Sequence, residues 1–236
     1  VDFGFTIIDY LGLAFFLAAW TGYHLAAEKL GTATHGLNER MALYRRAWIE
    51  QTRLRENRIF DSTIMASLQN GAAFFASTAL FAIAGVLAML QATDAALSVF
   101  ADLPFGIAPT RLAYEVKVGG LGVIFVYAFF KFAWSYRLFN YTAILMGAIP
   151  VDGRSHEGAV AAARATRMNI VAGRHFNRGQ RAFFFALGYL GWFISAWVLI
   201  AATAAVLIVM WRRQFASDAI AALDGKDEPD HDRSKP

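Results

Sequence analysis

Four stretches of this chain are long and apolar enough to cross a bilayer, and that constrains the fold more than any other feature. They run from about Ile7 to Ala27, Ile64 to Leu90, Val118 to Tyr136 and Ala182 to Trp211. A crossing helix needs about 20 mostly apolar residues. Inside hydrocarbon each backbone polar group must be satisfied within the protein, which restricts such runs to helices. The third run is expected to continue as helix toward Ala148. The fourth exceeds one bilayer thickness and is expected to tilt or protrude.

Composition agrees. Hydrophobic residues make up 57% of the 236 and charged residues only 17%, below the roughly 25% of an average soluble domain. The expected fold is all-α: a polytopic membrane bundle of about four transmembrane helices with helical cytoplasmic extensions. Residues 1–215 form one domain, with cytoplasmic connections at 28–63 and 149–181, and residues 216–236 form a polar, partly disordered tail. No basic segment precedes the first run and no small-residue cleavage pattern follows it, so it reads as a mature helix rather than a signal peptide. The chain has no cysteine, which excludes disulfides, iron–sulfur clusters and thiol catalysis.

The net charge is +4 and the pI about 9.5. In a soluble domain that suggests nucleic acid; here the positive-inside bias accounts for it, and no nucleic-acid partner is expected. The first connection carries Lys29, Arg40, Arg45, Arg46, Arg53, Arg55 and Arg58, and the third Arg137, Arg154, Arg164, Arg167, Arg174, Arg178 and Arg181. The second carries only Arg111 against Asp94 and Asp102. The basic connections are therefore placed in the cytoplasm of a bacterial inner membrane, with both termini outside. Arg212 and Arg213 argue against that orientation.

Both basic connections are expected to be helical. Leu37, Met41, Tyr44 and Trp48 recur at helical spacing as an apolar face. Ser155, after the turn signal Asp152-Gly153, is a plausible N-cap. Arg58 and Asp61, three apart, suggest a local ion pair.

Several phrases stand out along the chain: Arg58-Ile59-Phe60-Asp61-Ser62, Phe74-Phe75-Ala76-Ser77-Thr78, Phe129-Phe130-Lys131-Phe132-Ala133-Trp134-Ser135, Phe139-Asn140-Tyr141, Phe176-Asn177-Arg178-Gly179, Leu190-Gly191-Trp192-Phe193 and Trp211-Arg212-Arg213-Gln214-Phe215. Together, from about Asp9 to Phe215, they resemble the domain-of-unknown-function 599 family of bacterial and plant membrane proteins. The resemblance implies the four-span fold and brings no catalytic residues with it.

Lys131 is the most unusual residue, a charge within the third run. Such charges usually face a bundle interior or a wet cavity, although a lysine stem can also snorkel to the headgroups. Thr63, Ser67, Asn70 and Ser77 form a polar stripe on the second run, suited either to a solute path or to interhelical hydrogen bonds. By depth alone, Asn70, Lys131, Tyr189 and His24 are expected in one polar layer. Arg137, Asn177, Arg178 and Arg181 are candidates for an anion or a lipid headgroup. His24 and Glu28 share a face but are too few for a metal site. Without a P-loop, GxGxxG, HExxH or GxSxG motif, no cofactor and no enzymatic activity are expected. Ala14, Ala18, Gly22 and Ala26 make a small-residue face suited to close packing within or between copies. The expected function is a homo-oligomeric channel or transport-like protein with Lys131, Ser67 and Asn70 near its path. The alternative is a non-catalytic accessory or scaffold subunit bound to other membrane subunits.

Overall fold

The computed structural model describes residues 4–29, 36–102 and 110–223. Among them every regular element is helical. In chain order these are α1 (Ile7–Lys29), α2 (Leu37–Leu54), α3 (Ile59–Gln91), α4 (Thr93–Asp102), α5 (Arg111–Gly147), α6 (His156–Leu190), a short 3-10 turn (Gly191–Phe193), α7 (Ala196–Phe215) and α8 (Asp218–Leu223). Four helices are long and apolar enough to cross a membrane: α1, α3, α5 and the segment containing α7. The protein is thus a multi-pass membrane helical bundle.

The helices begin where the sequence supplies caps. Thr110 accepts from the Ala113 amide to open α5, and Ser155 accepts from the Gly158 amide to open α6, as expected. Ser195 accepts from the Val198 amide to open α7. A cap of this kind contributes about 1 kcal/mol.

Ser195 also corrects the sequence reading. The run from Ala182 to Trp211 is not one tilted rod. It bends at Gly191–Phe193, and α7 starts afresh at Ala196. The bend needs a glycine, because a Cβ on Gly191 would stand 2.8 Å from the Val198 carbonyl oxygen. The apolar run therefore divides between the end of α6 and all of α7, which form an antiparallel hairpin.

The longest seam in the bundle is α5 against α6, antiparallel throughout. Lys117 meets Trp192 at one end, Phe132 meets Gly179 near the middle, and Ser135 donates to the Ala172 carbonyl beyond it at 2.8 Å. A Cβ on Gly179 would be 2.6 Å from the Phe132 ring, so only glycine allows that approach. Helix α3 lies antiparallel to α5 on its other side, from Met89 beside Tyr114 to Gln69 beside Asn140. Helices α1 and α7 run parallel to each other, with Gly12 beside Leu199 and the Tyr23 hydroxyl on the Met210 carbonyl.

The consequence is a fifth helix packed alongside the four candidate spans. Charges in the first half of α6 keep it from qualifying as a span by composition, yet its second half lies beside α1 and α5 through the same depth. Phe185 and Tyr189 pack on Phe16, and Trp192 reaches Asp9 at the start of α1. Helices α1, α5 and α7 run one way, α3 and α6 the other. The two ends of the described chain therefore lie at opposite ends of the bundle. Arg212 and Arg213 now join the other arginines at one basic end. The tail expected to be disordered begins with helix α8; its acidic remainder, 224–236, lies outside the described residues, as does His35.

At the basic end a second apolar core continues the bundle, where Ile49 of α2 packs with Met65, Phe139 and Ala165. The buried face of α2 runs through Ile49 and Thr52, while Met41 and Tyr44 of the expected apolar face are exposed. Asp61 locks this corner. Its Oδ1 accepts from Trp48 Nε1 at 2.7 Å, Thr52 Oγ1 at 3.0 Å and Arg55 Nη1 at 2.7 Å. Arg58 does not pair with Asp61; it donates to the carbonyls of Ile149 and Pro150 at the α5–α6 turn. The reason is direction: Asp61 faces α2, whereas Arg58 precedes the helix and points at the turn.

The topology has a direct check. The chain lacks native cysteine, so Ile7→Cys and Ala219→Cys each carry one thiol. In oriented membranes the two should react with an impermeant maleimide from opposite sides. Labelling from one side would contradict these helix directions.

Candidate anion-binding cavity

Helix α1 ends where α6 emerges from the apolar layer, and two opposite charges meet there. Glu28 takes a two-pronged hold from Arg178, Nε to Oε1 at 2.7 Å and Nη2 to Oε2 at 2.9 Å. Parallel hydrogen bonds of this kind between guanidinium and oxyanion are among the strongest polar contacts. One turn back on α1, His24 Nε2 lies 3.6 Å from Glu28 Oε1. One turn on along α6, Arg181 Nη2 lies 3.5 Å from the same oxygen.

Beside this pair is a cavity of about 320 Å³ bounded by α1, α2, α6 and α7. Its wall carries Arg45, Arg174, Arg178 and Arg181 with Glu28 and Glu39. Helix α2 delivers Arg45 because its buried face turns toward α6. The Arg45 guanidinium donates to Asn169 Oδ1, and burial pushes its pKa below the usual arginine value. A smaller space of about 210 Å³ lies on the α7 side, lined by Tyr23, Phe184, Met210 and Arg213. Asn38, Asn177, Arg181 and Gln214 line both spaces.

Arg181 is the decisive residue. It is only 8% exposed, and among the described residues its Nε and Nη1 have no acceptor. Gln214, 7% exposed, likewise holds Nε2 without an acceptor. A buried donor left unpaired costs about 1–3 kcal/mol. Three such donor atoms on two residues, on a wall that carries four arginines, suit an acceptor-rich ligand such as an anion.

The structure sorts the sequence candidates. Asn177, Arg178 and Arg181 line this cavity, with Asn177 donating to Asn38 Oδ1 at 2.9 Å. Arg137 is elsewhere, exposed on α5 and bonded to the Tyr141 hydroxyl. His24 belongs to the Glu28 cluster, and Lys131 stands near it, 5.0 Å over the Tyr127 ring and within electrostatic reach of Glu28 and Arg178. The single polar layer is not formed within one chain. Asn70 and Ser67 lie exposed on the outer face of α3, with Thr63 and Ser77. Tyr189 is buried against Phe16, Trp192 and Gly120. Glu28, Arg45, Arg174 and Gln214 were missed as partners of this site. The spacing of Arg174, Arg178 and Arg181 along one helix was the available signal; nothing local in the sequence pointed to α1 and α2. Among the described residues no three metal-ligating side chains converge.

The family described as "Protein of unknown function, DUF599" matches residues 11–219, and the chain belongs to it. No curated protein and no solved structure matches the chain.

A wall held for a ligand costs stability when the ligand is absent. Arg181→Met, which keeps the stem and removes the unpaired donors, should raise the melting temperature in anion-poor detergent. A fall of several degrees would mean that Arg181 is a structural ion-pair partner only.

Proposed function

We propose that this member of an uncharacterised family is a homo-oligomeric, transport-like protein of the bacterial inner membrane, and that its arginine cavity is where an anionic solute engages. The observation that carries the reading is the pair Arg181 and Gln214, residues of the cavity wall whose buried donors lack acceptors among the described residues. The role is binding and translocation, not bond chemistry.

The orientation follows from charge. Arginines from the α2 region, the α6 extension and the end of α7 all gather at one end, and the positive-inside bias assigns that end to the cytoplasm. The start of α1 then faces outward and α8 lies inside. The cavity opens at the inner headgroup level, near Lys131, whose charge adds to a potential that attracts anions.

Self-association is supported by two outward faces. Ala14, Ala18 and Gly22 are exposed on α1, and a Cβ on Gly22 would meet nothing within 4 Å. On α3 the stripe of Ser67, Asn70 and Ser77 is also exposed. Small residues and hydrogen-bonding side chains are what membrane helices use to join. The interior of a single chain is filled by Phe16, Phe132, Phe185, Tyr189 and Trp192, so a path runs along the joints between copies. Closed rings are the usual outcome of such assembly.

The test is reconstitution. Native mass spectrometry should give a multiple of 26.0 kDa, and proteoliposomes should pass a small anion at a rate that Arg181→Gln reduces at least about tenfold. A mass that requires other polypeptides, with no flux from the chain alone, would replace this reading with that of an accessory subunit.

A further inference from the structure

We infer that the cavity takes a phosphate group and that Glu28 is the internal ligand this group displaces. The inference rests on the reading of the cavity as an anion site and adds the class of anion and the means of exchange.

Charge sets the class. Four guanidiniums and two carboxylates face the cavity, an excess of two positive charges. A dianion neutralises it; a halide or a single carboxylate does not. Geometry selects among dianions. Arg178 already grips a two-oxygen group through Nε and Nη2, and Arg181 offers Nε and Nη1 with nothing bound. One fork, on Arg178, with unpaired donors on both edges of the Arg181 guanidinium one turn along suits a tetrahedral oxyanion, whose oxygens point in several directions. A volume of about 320 Å³ exceeds a bare phosphate and reaches the lower range of small-molecule sites, roughly 300–1,000 Å³. The phosphate can therefore be carried by an organic group, either a soluble monoester or a lipid head.

Glu28 occupies the position such a group would need. Its side chain is about one-third exposed, on the last turn of α1. When the phosphate takes Arg178, the carboxylate keeps a cation within reach, because Arg181 Nη2 stands 3.5 Å away, with His24 Nε2 one turn back at 3.6 Å. Glu28 thus fills the site when it is empty and leaves without becoming an isolated charge. This arrangement lowers the cost of an unoccupied arginine cluster and sets a threshold for ligand entry.

The experiment uses the full chain in nanodiscs of phosphatidylcholine, titrated with radiolabelled orthophosphate. Saturable binding is expected, competed by sulfate and not by chloride. Glu28→Gln should tighten it by about tenfold, since it removes the competing charge. Arg181→Gln should abolish it, and the rim variant Arg174→Gln should weaken it severalfold, which protects the test if the buried variant misfolds. In a second arm the discs contain phosphatidic acid. Lipid retained by the wild type in native mass spectrometry and lost in Arg181→Gln, with orthophosphate excluded, assigns the phosphate to a lipid head and sustains the inference. Absence of both forms of binding in the wild type overturns it. Binding that Glu28→Gln weakens overturns the role of Glu28. Phosphate binding without flux would remove the transport reading and leave this site standing; flux with no phosphate binding would do the reverse.

Discussion

The structure depends on the close seam between α5 and α6. Helix α6 is charged in its first half and apolar in its second, so on its own it is a poor membrane helix. It is drawn into the bundle because glycines on the seam let aromatic side chains seat against bare backbone, Phe132 at Gly179 and Tyr189 at Gly120. That contact fixes the axial position of α6. Its apolar half is covered by α1, α5 and α7, and its arginines emerge where the covering ends. Arg178 and Arg181 are thereby held at the boundary, within reach of Glu28, the last acid of α1.

Everything at the basic end is arranged around that boundary. Asp61 gathers three donors and holds α2 against the start of α3, while Arg53 and Arg58 hold the α5–α6 turn through its carbonyls. With α2 fixed in this way, its buried face presents Arg45 to the cavity. At the far end the corner is tied by Lys117 on the Trp192 carbonyl and Trp192 Nε1 on Asp9. Between these polar corners, Arg181 and Gln214 hold buried donors without acceptors among the described residues.

Much of the fold was legible because lipid imposes a strong pattern. Runs of about 20 apolar residues marked α1, α3 and α5, and Ser155 marked the start of α6. The place of α6 within the bundle was hidden for a physical reason: averaging over the helix mixes its arginines with its buried half. The bend at Gly191 was hidden by the continuity of the apolar run, although Ser195 four residues later carried the cap. Depth along a helix could be counted, but azimuth could not. Asn70 and Ser67 turned outward for that reason, and Tyr189 went into an aromatic core. The cavity was half legible. Asn177, Arg178 and Arg181 follow from the arginine spacing on α6, whereas Arg45 and Gln214 reach it only through tertiary packing.

The central claim is that Arg181 is held ready for an anion that does not come from the chain itself. Cryo-electron microscopy of the assembly in native membranes at side-chain resolution tests this most directly. The account predicts non-protein density against Arg181 Nε and Nη1, within hydrogen-bond distance and bounded by Arg178 and Gln214. An acidic side chain of a neighbouring subunit filling that position would contradict it and make the cavity a joint between proteins.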